Sequence, residues 1–450
     1  MNTDINIDNN IANNGININT HEKSNIRNIQ AIKINEFKAI LPSNSNINLI
    51  VIDQYKINNF KLIIKIIIFF LLLITIIVAE LFYREPLFNY TLENVPIAQK
   101  KASKSLINFF KLMSHLGGFI GNSIIMLVTV LFFPINKSFT FIMTSSFAIY
   151  VTNLFKIIYG NPRPYWEKYS IKSFDCDGGF GNPSGHNLLS ICNYFGIWFL
   201  VNFYTRIKNY KYIIIFKIIS FLVIMLFLSL IGYSRYILGA HSINQIIYGL
   251  FLGAIICYFT YFILQLQNLK SEIFFTKFIS KYINIAFITI YILMIIIILI
   301  LYFSISRNEL VWLDNVYYKC PDIKEKPSKF GIKAGLEESL NFIYILSSHI
   351  SLIVIKYLYD NKSKLLFNNN NITLEEVNNY NNLKILKRII YIIFFVIVVG
   401  VWFILSAISS KSNLTIIIVF KSILRFFGIG ISVYLIIPII TIKYISNFNI

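Results

Sequence analysis

Residues 212–245 read YIIIFKIISFLVIMLFLSLIGYSRYILGAHSINQ. The first part, 212–232, is an almost unbroken apolar run. It has the length that crosses a bilayer, about 20 residues. Hydrocarbon offers no water to satisfy the backbone, so a run of this length must be helical. The second part brings in Arg235 and His241 where the chain would leave the apolar layer. Ionisable residues at such a place are candidates for function. One stretch therefore carries both the fold class and the first candidate site residues.

Further apolar runs lie at 63–83, 112–134, 139–158, 188–204, 244–265, 283–304, 341–358, 388–410 and 417–441. With 212–232 they predict about ten spans. Composition agrees: 56% of residues are hydrophobic and 14% charged, against about a quarter charged in a soluble domain. The expected fold is all-α, a polytopic transmembrane helix bundle. Residues 1–62 are polar and Asn-rich, with no short apolar core near Met1. They read as a disordered cytoplasmic tail without a cleavable signal. Residues 63–265 then form a six-span core, and residues 266–450 add about four spans with no readable motif. The Asn-rich segment 368–382 reads as a disordered loop.

The net charge is +20. Lysines at span ends, facing cytoplasm and anionic membrane lipid, account for it. No basic stretch sits on a soluble domain, so nucleic acid is not an expected partner. The sequence is silent on oligomeric state. Short loops rich in Lys and Arg follow the fourth span (Arg206, Lys208, Lys211), the sixth (Lys270, Lys277, Lys281) and the eighth (Lys362, Lys364, Lys384, Lys387, Arg388). By the positive-inside rule these loops are cytoplasmic. Loops 84–111, 159–187, 233–243 and 305–340 then face the lumen or the exterior, where Asn89-Tyr90-Thr91 would be a glycosylation sequon. The expected location is a multi-pass position in the endoplasmic reticulum, another endomembrane or the plasma membrane. Cys192 and Cys257 fall in apolar runs and read as packing residues. Cys176 and Cys320 fall in loops on the same expected side, but their separation in space cannot be read from sequence.

Three segments at that outer face carry the chemistry. They are Lys156-Ile-Ile-Tyr-Gly-Asn-Pro-Arg163-Pro164, Gly181-Asn182-Pro183-Ser184-Gly185-His186 and Ser234-Arg235-Tyr-Ile-Leu-Gly-Ala-His241. A dianionic phosphoryl group needs several cationic donors, and Lys156, Arg163 and Arg235 supply them. Arginine suits the task through its bidentate fork. Ser184 adds a hydroxyl at a helix start, where backbone N–H groups and the helix dipole favour an anion, and Gly185 lets the main chain approach. With these cations in the protein, neither a metal nor another cofactor is required. Of five histidines, two fall in these segments. One can attack phosphorus and the other can handle the leaving-group proton.

The pattern Lys-x6-Arg-Pro, Pro-Ser-Gly-His, Ser-Arg-x5-His resembles the type 2 phosphatidic acid phosphatase and vanadium haloperoxidase superfamily. The resemblance covers roughly residues 63–265. It implies that His241 is the nucleophile and His186 the acid/base. It also implies that Lys156, Arg163, Ser184, Gly185 and Arg235 cradle the phosphate. The family usually has Asp four residues after the nucleophile, and here that position is Gln245. His241 and Gln245 share a helix face, so the amide oxygen can still accept the ring N–H, without the carboxylate's charge. The expected result is lower nucleophilicity.

Glucose-6-phosphatases also carry Gln there. They share the Tyr-Trp that follows Arg163-Pro164 and the Cys-x-x-Gly that leads into Pro-Ser-Gly-His, here from Cys176. Sphingosine-phosphate phosphatases typically have Thr in place of Gly185 and keep the Asp. The resemblance implies a phosphatase acting on a lipid phosphate or a small phosphomonoester such as a sugar phosphate. Alternatives are a polyprenyl diphosphate phosphatase, a lipid phosphotransferase, or a non-catalytic transporter- or scramblase-like relative. A haloperoxidase would need vanadate. His115 lies near the outer end of the second span and is a further candidate for substrate contact, against the plain reading of an interfacial side chain. Glu80, His349 and Arg425 lie in or near apolar runs; for Glu80 and Arg425 the plain reading is snorkelling at span ends.

Overall fold

The computed structural model describes residues 45–204, 210–269, 273–306, 308–320 and 330–360, the segment 426–436, and single positions between 393 and 424. Every regular element among the described residues is helical. The main helices are α1 (Ser45–Lys101), α2 (Lys104–Gly117), α3 (Phe119–Phe132), α4 (Ile135–Tyr159), the short α5 (Pro164–Glu167), α6 (Gly185–Ser190) and α7 (Gly196–Tyr204). They continue as α8 (Tyr210–Ile237), α9 (Ile243–Cys257), α10 (Lys281–Ser304), α11 (Leu313–Lys319), α12 (Phe330–Ser339) and α13 (Ile343–Asp360). Seven helices among the described residues are long and apolar enough to cross a membrane. The protein is thus an all-α membrane helix bundle, as the apolar runs required.

The chain divides at residue 65, and on its N-terminal side residues 45–65 are helical. Residues 45–62 of the expected tail are helical. That stretch carries Ile50, Val51, Ile52, Ile57 and Phe60 and is part of α1. Residues 1–44, the expected loop 368–382, Arg425 and nearly all of the expected spans 388–410 and 417–441 lie outside the described residues.

The largest departure is in the expected loop 84–111, which is mostly helix. Helix α1 runs on to Lys101 because its pattern changes beyond the apolar run. Glu80, Thr91, Val95 and Gln99 are buried along one face, while Leu81, Phe82, Tyr90 and Ile97 are exposed. The extension works as a strut. Thr91 Oγ1 accepts the backbone N–H of Ile243 at 3.1 Å. Gln99 bonds Lys172 O at 2.9 Å and Ile237 O at 3.0 Å, and accepts Lys172 N–H at 2.9 Å. Asn89 sits on this helix, on its exposed side.

The expected second span breaks at Gly118 into α2 and α3, and the fourth is α6 and α7 joined by a π-helical turn, Ile191–Phe195. The central core joins both sides of residue 265. Phe139, Phe141 and Tyr150 of α4 pack with Phe274, Tyr291, Leu336, Phe342 and Leu352. His349 is buried there, against Phe278 and 2.9 Å from Asn284 Oδ1. A second core lies around Tyr165, Trp166, Phe180, Val316 and Ile332. Segment 309–320 is tied to α5: Lys319 Nζ donates to Tyr165 O and Lys168 O, Trp312 Nε1 to Glu167 Oε2, and Asn315 Nδ2 to Trp166 O. Cys176 and Cys320 form a disulfide across 144 residues.

Candidate active site

Each motif is delivered by a helix end. Helix α4 places Lys156 in its last turn and stops at Gly160, whose φ of 57° is left-handed and suits glycine. Pro164 opens the short α5 at its first position, and Arg163 before it is held extended with φ −83° and ψ 154°. Ser184 is the N-cap residue of α6, so Gly185 and His186 open that helix. Arg235 lies in the last turn of α8. Ser242 caps α9, and Gln245, three residues on, returns its Oε1 to Ser242 N–H at 3.2 Å. That is the reciprocal half of a capping box. Ser-x-x-Gln is a sequence signal for it, and it gives the Gln a structural reason to be there.

The histidine of the third motif has opposite neighbours on its two ring nitrogens. His241 Nδ1 lies 2.9 Å from Gly181 O and 3.2 Å from Gln245 Oε1, and both are acceptors. Nε2 lies 3.2 Å from Arg163 Nη1, which can only donate. The proton therefore belongs on Nδ1, and the Nε2 lone pair faces the guanidinium. Gln245 shares the role of orienting this ring with the Gly181 carbonyl, which the sequence reading had not found. Gln245 Nε2 also donates to Pro162 O at 2.8 Å. A Cβ on Gly181 would meet the Gln245 amide at 2.5 Å, so that close approach requires glycine.

Arg163 is fully buried. Its Nε donates to Gly179 O at 2.6 Å, its Nη1 to Ala240 O at 3.2 Å, and its Nη2 pairs with Asp177 Oδ2 at 2.7 Å. Arg235, also fully buried, donates through Nη1 to Ser114 Oγ at 2.5 Å and to Asp175 Oδ2. Its Nε and Nη2 have no hydrogen-bond partner among the described residues. Lys156 Nζ lies against Gly179 and Gly185, where added Cβ atoms would sit 3.5 and 3.8 Å away, and it pairs with Glu338 Oε2 at 3.6 Å. Ser184 Oγ donates to Asn187 Oδ1 at 2.9 Å. His186 Nε2 abuts the Gly118 backbone, where a Cβ would come within 2.9 Å.

All eight residues read from the motifs thus lie in one connected region: Lys156, Arg163, Ser184, Gly185, His186, Arg235, His241 and Gln245. A cleft of about 470 Å³ opens onto it, lined by His186, Ser114, His115, Asp175, Asp177, Ala334 and Glu338 among others. The sequence reading had not singled out Ser114, Asp175, Asp177 or Glu338; the Asp-Cys-Asp run beside the second motif was the available signal. Glu80 was also underread. It is fully buried, pairs with Arg84 and accepts Asn182 Nδ2–H at 2.8 Å, so α1 holds the second motif from behind.

Charge acts on these groups in opposite senses. Burial and then the Arg163, Arg235 and Lys156 charges push His241 well below the ordinary histidine range. Burial and Arg235 do the same to His186, with Asp175 and Asp177 opposing. Burial disfavours ionised Asp175 and Asp177, but Arg235 and Arg163 respectively outweigh it, and both carboxyls lie below the usual carboxylate range. Both histidines are therefore neutral at neutral pH while both aspartates are charged.

The bundle and this arrangement define a phosphatase-type membrane protein. Residues 137–269, which contain all three motifs, match the family model of the PAP2 superfamily. No curated protein and no solved structure gives a significant match.

Proposed function

We propose that the protein is a membrane phosphomonoesterase working through a phosphohistidine on the lumenal or exoplasmic face. His241 Nε2 attacks phosphorus, and the bond from phosphorus to the ester oxygen breaks. His186, which takes up a proton from the bound phosphate monoanion, passes it to the leaving alkoxide. It then takes a proton from water, which attacks the phosphohistidine and releases inorganic phosphate. Lys156, Arg163, Arg235, Ser184 and the backbone at Gly185 hold the phosphoryl oxygens and take up charge in the transition state. The observation that carries this reading is the His241 ring. Its Nδ1 is committed to Gly181 and Gln245, and its Nε2 is left facing the cations.

The outer-face assignment is supported by the disulfide, which joins two loops expected on the same side and belongs to an oxidising compartment. The polar rim of Ser114, His115 and Glu338 favours a hydrophilic leaving group such as a sugar phosphate. A lipid phosphate has its own support in an apolar groove lined by Tyr90, Ile97, Leu228, Tyr233, Ile246 and Leu250. Phosphate release by the purified protein from a panel of sugar and lipid monophosphates, with His241→Ala as control, tests the proposal. Release from some member, lost in the variant, is the expected result. No release from any member contradicts it.

A further inference from the structure

Every cation of the phosphate cradle is paired with a carboxylate: Lys156 with Glu338, Arg163 with Asp177 and Arg235 with Asp175. The two kinds of partner are differently placed. The cations and His241 are buried. The carboxylate side chains are 44%, 25% and 38% exposed and line the cleft. The carboxylates therefore stand between solvent and the cradle. Cys176 lies between the two aspartates and is bonded to Cys320, which anchors their loop. Glu338 comes from α12, outside the segment that matches the family.

The pairing is incomplete. Asp175 uses only Nη1 of Arg235, which it shares with Ser114, and leaves Nε and Nη2 buried without hydrogen-bond partners among the described residues. Buried donors left unpaired are costly, so an anion that reaches them has an advantage over the carboxylate already there. The charge count points the same way. Three carboxylates already balance three cations. A phosphoryl dianion added beside them would leave two uncompensated charges in a desolvated site.

We propose that Asp175, Asp177 and Glu338 form an anionic gate that occupies the phosphate cradle when the site is empty, is displaced by the incoming phosphoryl group, and selects monoesters over diesters. The inference rests on the phosphate-site reading above. An incoming anion must replace three carboxylate contacts. A phosphomonoester end has three terminal oxygens and two charges; a diester has two free oxygens and one charge. The anchored loop lets the aspartates leave by side-chain rotation, with the main chain kept in place. The region beyond residue 265 thereby acquires a role at the site, since α12 supplies one leaf of the gate.

The test uses the purified full chain and measures binding of inorganic phosphate and of dimethyl phosphate by calorimetry, a readout that does not depend on turnover. Glu338→Gln removes one charge from a half-exposed, isosteric position. Exposed ion pairs are worth about 0.2–1 kcal/mol, so its Kd for phosphate should fall by about 1.4- to 5-fold. Asp175→Asn should lower it further. Dimethyl phosphate should bind the wild type weakly and gain more than phosphate does in both variants. If these carboxylates merely orient their cations, both variants will bind phosphate more weakly. That outcome, or unchanged affinities, overturns the gate and leaves the phosphatase reading standing. Absence of phosphate binding to every form overturns both.

Discussion

His241 and His186 are both held neutral, yet the proposed mechanism gives them different work. His241 needs a free lone pair, so a depressed pKa helps it directly. The acid limb of the kcat/KM profile, which reports the free enzyme, should fall below the ordinary histidine value of about 6.5. Protonation of His241 disables the nucleophile, so activity is present above that limb and lost as pH falls through it. Gln245→Glu should move the limb upward, because a carboxylate stabilises the imidazolium. It should also weaken the site, because a carboxylate cannot donate to Pro162 O as Gln245 Nε2 does. A limb that stays put in this variant would show that Gln245 does not act on the ring.

As the proposed acid, His186 must deliver a proton that arrives with the substrate. Its loss should therefore depend on the leaving group. His186→Ala should slow hydrolysis of an alkyl phosphate by about 10²–10⁴-fold, while a nitrophenyl phosphate, whose leaving group needs little protonation, should be partly spared. Equal damage to both substrates would give His186 another task. At this scale the sequence was informative, because the chemistry demands rare side chains at short spacings. What it hid were partners supplied by the backbone or from far along the chain, such as the Gly181 carbonyl and Glu338. Neither follows from local pattern.

Among the elements, the outer ends of the helices matter more than their spans. Helix α1 was legible as an apolar run but not as a strut, since its outer half exchanges uniform apolarity for one buried face that only its neighbours define. The loop carrying Asp175 and Asp177 depends in the same way on segment 309–320, to which it is joined through Cys176–Cys320. Removing a native disulfide typically costs about 2–5 kcal/mol. A Cys176→Ser, Cys320→Ser double variant should accordingly show a lowered Tm by thermal unfolding in detergent. An unchanged Tm would mean that the packing of Trp166, Phe180 and Trp312 holds the outer cap without the bond.

For the whole molecule, the membrane class was plain from hydropathy, while the fit of the C-terminal region was not. Its apolar runs carry no motif, and nothing local announces that α12 and α13 pack on α4 beside Lys156. In the orientation proposed above, the cleft faces away from the cytosol. With Ser170→Cys in sealed, right-side-in vesicles, an impermeant thiol reagent applied from the cytosolic side should fail to label the new cysteine. Labelling would invert the topology. The central claim is that His241 carries the phosphoryl group, and rapid quenching of the purified protein with a radiolabelled substrate tests it most directly. The account predicts an acid-labile, alkali-stable label that maps to His241, persists longer in His186→Ala with a good leaving group, and is absent from His241→Ala. A label that survives in His241→Ala, or turnover there at the wild-type rate, would contradict it.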